Sequence, residues 1–268
     1  MGSVKQFYEK TAKTYDKEYD APYWRLYHEI TWENIRKFLP ITKDATILDS
    51  GGGTGYWAIR LAKHGFNVVL TDISRNMLKV AREKIDKEEL QNKIETKIVD
   101  IRYMSCFPSN HFDMVLAEGD PVSYCLRPKK AISELARVAR HGSHVIVSGD
   151  SKYSMISRLI RQEPLDELSS FLRTSIIKGD FRYQAFTPEG LKVLFEECGL
   201  KVVRIIGKPI LLQSVPAESR DKLIERKFKK LLKLELEFCD VPSIVGMGGH
   251  LEVVGIKQRT TLTASEGK

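Results

Sequence analysis

Cysteine is scarce: Cys106, Cys125, Cys198 and Cys239 are scattered over 268 residues and form no CxxC pair. That pattern excludes a disulfide framework and the usual zinc sites, and the four read as reduced packing residues. Long apolar runs are missing too, since none approaches the ~20 residues needed to cross a bilayer. The first residues, "MGSVKQFYEKTAKTYDKEYD", lack the apolar stretch of an export signal, so the expectation is a cytoplasmic chain with no membrane partner. No GKS or GKT loop occurs, "HEITWE" lacks a second histidine, and Ser50 is not in a GxSxG elbow. The common NTPase, zinc-protease and serine-hydrolase readings fall with them. Asn and Gln are few beside Lys, Glu and Arg, a balance found in proteins of hot environments.

What is present is a globular composition, 42% hydrophobic and 29% charged, with a formal charge of +8. The Lys and Arg residues are interleaved with Glu and Asp, as on solvated helices, so the charge does not by itself point to nucleic acid. The length suits one elaborated domain. Two helical patterns, Val4 to Lys17 and Tyr23 to Phe38, precede the first strand as a cap over residues 1–44, and Pro40 closes the second. Strand and helix signals then alternate: "TILDS", a helix from Tyr56 to Lys63, "NVVLTD", a helix from Ser74 to Lys87, "KIETKIVD", "FDMVLAE", a helix from Pro128 to Arg140, "SHVIVSG". Short apolar strands alternating with helices signal an α/β fold with a parallel sheet covered on both faces. Residues 151–186 break the rhythm. Up to Asp180 they read as helices interrupted at Pro164, with no strand between them, and as an insertion over the site. Thr187 as N-cap and Pro188 at the first helical position restart the alternation, and Gly199 ends that helix. "KVVRIIGK", a Lys-rich helix from Ala217 to Phe238 and "GMGGHLEVVGIKQ" complete a domain spanning 45–258. The tail, 259–268, reads as disordered.

The stretch "ILDSGGGTGYWAIRLAKHGFNVVLTD" runs a buried strand into a glycine turn and a helix, which lets a ligand press against bare backbone. Two ligands fit. Gly53, Gly55 and Ala58 match the GxGxxA form of a dinucleotide fingerprint, with Asp72 where a ribose-binding acid belongs. Three features favour S-adenosylmethionine instead. Asp49, two residues before Gly51, would crowd a pyrophosphate but can help hold a cationic amino-acid group, directly or through water. Asp100 closes the third strand, where it can accept a hydrogen bond from an adenine amino group. Glu118 and Asp120 end the fourth strand in the crevice where open α/β sheets bind ligands.

The order "ILDSGGGTG", "LTDIS", "VDIR", "FDMVLAEG" resembles the class I S-adenosylmethionine-dependent methyltransferases, and "FYEKTAKTYD" resembles the branch holding the ubiquinone/menaquinone C-methyltransferases and many small-molecule enzymes. The resemblance spans about Phe7 to Gly149 and returns more weakly in "FTPEGLKVLFEECGLKVV" and the last strand. It departs at Ser50, usually apolar, and at Gly52, often Cys. It implies a Rossmann-like seven-stranded, mostly parallel sheet whose last strand is antiparallel. It also implies that Gly51 and Gly53 approach the methionine part, that Asp72 pairs with the ribose hydroxyls, that Asp100 and Ile101 hold adenine, and that Ile73 and Met77 belong to the cofactor site. The backbone at Glu118 and Gly119 would lie near the sulfonium, and Tyr15 resembles a lid tyrosine, a role shared with simple packing.

Methyl transfer needs alignment of a nucleophile and exclusion of water, with no metal and no covalent nucleophile. A base is required for a hydroxyl or acidic carbon acceptor. His250 is the candidate, because an antiparallel last strand would start at the edge where the parallel strands end, and "GMGG" delivers the imidazole there. Tyr124 and Asp120 follow as substrate or cofactor contacts. Tyr153, Met155, Tyr183 and Phe186 either wall the acceptor pocket or, more simply, pack the insertion. Arg158, Arg161 and Arg173 either bind an acidic acceptor or face solvent. The expectation is a methyltransferase with a small-molecule acceptor. The alternatives are an RNA or protein substrate docked on "RDKLIERKFKKLLK", a nicotinamide-dependent oxidoreductase, and a silent cofactor-binding module.

Overall fold

A computed structural model describes residues 3–162 and 165–258, so the tail expected to be disordered lies outside the described residues. The strands are β1 Thr46–Ser50, β2 Asn67–Asp72, β3 Ile94–Ile98, β4 Phe112–Ala117, β5 Ala139–Asp150, β6 Ile176–Lys178, β7 Arg182–Gln184, β8 Leu200–Lys208 and β9 His250–Lys257. The α-helices are α1 Val4–Thr11, α2 Pro22–Ile35, α3 Tyr56–Lys63, α4 Arg75–Lys87, α5 Pro121–Tyr124, α6 Pro128–Val138, α7 Lys152–Gln162, α8 Leu165–Thr174, α9 Pro188–Glu197 and α10 Ala217–Phe238.

Seven strands form one sheet in the order β3-β2-β1-β4-β5-β9-β8, with β9 antiparallel to both of its neighbours. The apolar runs of β1, β2 and β4 are buried almost end to end, because helices cover both faces. Successive residues of β1 point to opposite sides. Ile47 joins Ala58 and Leu61 of α3 and Leu78 and Ala81 of α4, while Leu48 joins Ile132 and Leu135 of α6 and Leu191 and Phe195 of α9. The chain reverses its winding between β1 and β4, and a crevice opens there at the strands' carboxyl ends.

Two expectations need correction. The first helical pattern stops at Thr11 and resumes as a 3-10 turn over Tyr15–Asp20, with α2 starting at Pro22, one residue before the expected Tyr23. Pro22 supplies a helix-compatible φ at a position that needs no N–H donor. The insertion also carries a strand pair. β6 pairs antiparallel with β7, while Met155, Leu159 and Phe171 of the two helices bury themselves with Ile177 and Ala185 in a small core of their own. Three-residue strands are too short to show alternation. Thr187 caps α9 by accepting from the Gly190 N–H, and Gly199 follows with φ +78°.

Candidate active site

The glycine turn after β1 and the turn after β4 meet at the crevice. Gly51 adopts φ +73°, and a Cβ built on it would lie 2.6 Å from Pro121. Gly52 is confined differently: a Cβ there would stand 2.4 Å from Asp49 and 2.5 Å from Leu70. The cysteine often found at this place in the family the sequence resembles has no room here.

The glycine N–H donors of this turn are already engaged. Gly51 and Gly52 N–H both donate to the Thr71 carbonyl at 2.7 and 3.1 Å, Gly55 N–H donates to the Gly52 carbonyl, and Gly53 N–H donates to Asp72 at 3.1 Å. A pyrophosphate would find no free N–H at these glycines and would sit over the buried Asp49 and beside Asp72. The two buried carboxylates therefore disfavour a pyrophosphate at this turn and suit a cationic ligand.

A cavity of about 720 Å³ extends from this turn across the strand ends. Of the expected cofactor residues, Tyr15, Gly51, Gly53, Asp72, Ile73, Met77, Asp100, Ile101, Glu118 and Gly119 line it, as do the expected catalytic residues Asp120, Tyr124 and His250. Asp49 does not. It is fully buried beneath Gly52, and burial pushes its carboxyl up to about 7 against the opposing pull of the Ala58 N–H. Asp72 is fixed by the Ser74 and Gly53 N–H groups, and burial raises it to about 6.

Two acids differ from expectation. Asp100 does not stand free for adenine: Arg102 donates to both of its oxygens, at 2.5 to 3.2 Å. Glu118 turns its carboxylate into the core, where it accepts from Lys208 Nζ at 2.6 Å. Lys208 also meets Glu252, which accepts in turn from Asn34, and both members of the Lys208–Glu118 pair are fully buried. Burial raises Glu118 well above the carboxylate range, with the Glu252 charge adding to it.

The far end of the cavity is aromatic. Phe7, Tyr8, Tyr15, Tyr19, Trp24 and Tyr27 form the roof, with Tyr124 and Phe181 closing one side. The sequence signal was present, since seven aromatic residues fall between Phe7 and Tyr27. Two latches hold the roof down. Glu9 accepts from the Arg75 and Asn76 N–H groups at the start of α4, and Asp16 bonds Lys84 at 2.8 Å and the Thr54 hydroxyl at 2.5 Å. His28 is buried against the Tyr56 ring at 4.2 Å and lowered to about 3, chiefly by burial, so it is neutral.

His250 Nδ1 lies 2.8 Å from Asp120 Oδ2. Burial lowers the imidazole's pKa, but the Asp120 charge outweighs it and holds His250 above its ordinary value. Asp120 has φ +65°, a strained conformation for a non-glycine residue, and its N–H donates to Ser148 Oγ. Beside this pair stands Asp150, just past the expected strand "SHVIVSG" and raised to about 7 by burial and by the Asp120 charge. Met155 and Phe186 pack in the interior, Tyr153 is exposed, and Tyr183 lies tilted against Phe181 with ring centroids 6.0 Å apart, so none of the four walls the cavity. Arg158 is exposed, its guanidinium 3.4 Å from the Tyr183 hydroxyl.

Residues 47–142 match a protein family described as "Methyltransferase domain". Phosphatidylethanolamine N-methyltransferase from Cereibacter sphaeroides is 37% identical over 101 residues, covering 38% of this chain and 48% of that protein. Demethylmenaquinone methyltransferase from Bacteroides fragilis is 32% identical over 157 residues, covering 54% of this chain and 58% of that protein. The chain thus spans about half the length of these relatives. Among solved structures, the [4+2]-cyclase SpnF superposes with a TM-score of 0.65 at 16% identity, covering 95% of this chain and 96% of that one. That likeness concerns the fold, and a cyclase on this fold shows that the fold alone does not fix the reaction.

Proposed function

From a chain whose residues 47–142 match a methyltransferase domain and whose sheet has the Rossmann-like order of that fold, we propose a class I enzyme that transfers the methyl group of S-adenosylmethionine to a small-molecule acceptor. One observation carries this reading. A single cavity joins a glycine turn with no free N–H at its glycines to an aromatic chamber ending in the Asp120–His250 pair.

The cofactor would supply an activated methyl group. Asp72 would hold the ribose, and Ile73, Met77 and Ile101 would give adenine apolar walls. The Gly51–Gly53 turn would border the amino-acid part, with Asp49 acting from beneath it. The roof excludes water, and Tyr8, Tyr15 and Tyr124 shape the acceptor's space. His250 would take the acceptor's proton at Nε2, the ring nitrogen that Asp120 does not face. A roof lying across the chamber favours a small acceptor over RNA or a protein chain.

The test is transfer of isotopic methyl from S-adenosylmethionine into fractionated metabolites and RNA. Label in a small-molecule fraction, lost in Asp72→Ala, is the expected result. Label confined to RNA would replace the acceptor class, and no label in any fraction would leave a cofactor-binding module.

A further inference from the structure

Behind the chamber, three strand ends bring together two carboxylates and an imidazole. Asp120 follows β4, Asp150 ends β5 and His250 begins β9, with Asp150 and His250 directly opposite in the sheet register. One ligand-capable atom from each lies within 4.8 Å of the others. Asp120 is 3% exposed and Asp150 9%, and three buried atoms of the cluster lack any hydrogen-bond partner: Asp120 Oδ1, Asp150 Oδ2 and His250 Nδ1.

The Nδ1–Oδ2 contact at 2.8 Å is an ion-pair approach whose alignment leaves Nδ1 without a well-formed hydrogen bond. Leaving carboxylate oxygens unpaired in one buried place is costly, and a cation shared by the three residues would relieve that cost. Both aspartates are held by serines on neighbouring segments. Asp120 N–H donates to Ser148 Oγ and Asp150 N–H to Ser123 Oγ, at 3.0 and 2.9 Å. The donors therefore stand on rigid strand ends, as a preformed ligand set requires.

We propose that Asp120, Asp150 and His250 form a divalent-cation site at the acceptor end of the cavity. Two carboxylate oxygens and one imidazole nitrogen suit a first-row divalent ion that accepts mixed oxygen and nitrogen donors, with Mn²⁺ as the natural probe. Asp120 and His250 also line the cavity, so the ion's remaining positions open toward the acceptor. The acceptor class is then a molecule offering a hydroxyl, enolate or carboxylate oxygen to the ion. This rests on the reading of the cavity as the site of methyl transfer. It turns His250 from proton acceptor into ligand whenever the ion is bound.

The experiment is a Mn²⁺ titration of the full chain followed by electron paramagnetic resonance, with adenosylhomocysteine binding measured separately by calorimetry. The site predicts one Mn²⁺ per chain with nitrogen modulation from an imidazole. It also predicts Mn²⁺ binding at least about tenfold weaker in Asp150→Asn, with adenosylhomocysteine affinity nearly unchanged. If Asp150→Asn does not fold, the nitrogen modulation of the unsubstituted chain decides alone. Absence of bound Mn²⁺, binding without nitrogen modulation, or binding indifferent to a folded Asp150→Asn overturns the site. So does uptake of tetramethylammonium in place of Mn²⁺, which would make the cluster an ammonium pocket. Failure of adenosylhomocysteine to bind would instead strike the proposed function and leave the Mn²⁺ result to be read by itself.

Discussion

At the scale of single residues, Asp72 and His250 carry separable duties. Asp72 offers a buried, preoriented carboxylate, and hydrogen bonds to a charged group contribute about 1.5–3 kcal/mol each. Asp72→Ala is therefore expected to weaken adenosylhomocysteine binding by roughly 10- to 100-fold in calorimetry. Unchanged affinity would remove Asp72 from the cofactor site. For His250 the sign follows from its environment. A base works only when neutral, and the Asp120 charge holds the imidazole's pKa above 6.5. In metal-free buffer the methyl-transfer rate should rise with pH through a midpoint above that value, and His250→Ala should cost about 10²- to 10⁴-fold and lose the inflection. A flat profile in the unsubstituted enzyme would contradict the base.

Asp49, Asp72 and Tyr15 could be singled out from sequence because each sits beside a turn or within a motif whose local pattern is plain. Asp150 and Lys208 could not. Lys208 reads as the end of an ordinary strand, and only folding brings it to Glu118, 90 residues away in the chain. Asp100 was recognised at its strand end, but the guanidinium two residues on that occupies its oxygens is a matter of side-chain rotamer, which no sequence pattern encodes.

At the scale of elements, the strands of the sheet were legible wherever both faces are buried. "TILDS" and "NVVLTD" are continuous apolar runs ended by turn residues, and β1 and β2 have those boundaries. The β6–β7 pair was not legible, because three residues per strand carry no period. The roof was half legible: its helices were read, but their aromatic faces find their purpose only above the cavity. Its latches give a test. Asp16→Ala frees Lys84 and Thr54, and because the pair is partly exposed its worth is modest, about 0.2–1 kcal/mol. The expected result is a few-fold rise in the dissociation constant of adenosylhomocysteine with little change in melting temperature. A large fall in melting temperature with unaltered affinity would make the latch a feature of stability alone.

At the scale of the whole molecule, the buried ionic cluster ties α2, β4, β8 and β9 together beneath the site. Lys208→Met would leave Glu118 and Glu252 buried without their counter-charge, which costs about 3–5 kcal/mol. Urea unfolding would report the loss, and a loss below about 1 kcal/mol would mean that the lysine's charge is not needed beneath the site. Among the described residues, no helix is long and apolar enough to cross a membrane.

All of this depends on which ligand the glycine turn takes. Calorimetry of the full chain against adenosylhomocysteine and NAD, under identical conditions, is the direct measurement. The account predicts one adenosylhomocysteine per chain and no heat of NAD binding, and tight NAD uptake with no response to adenosylhomocysteine would contradict it.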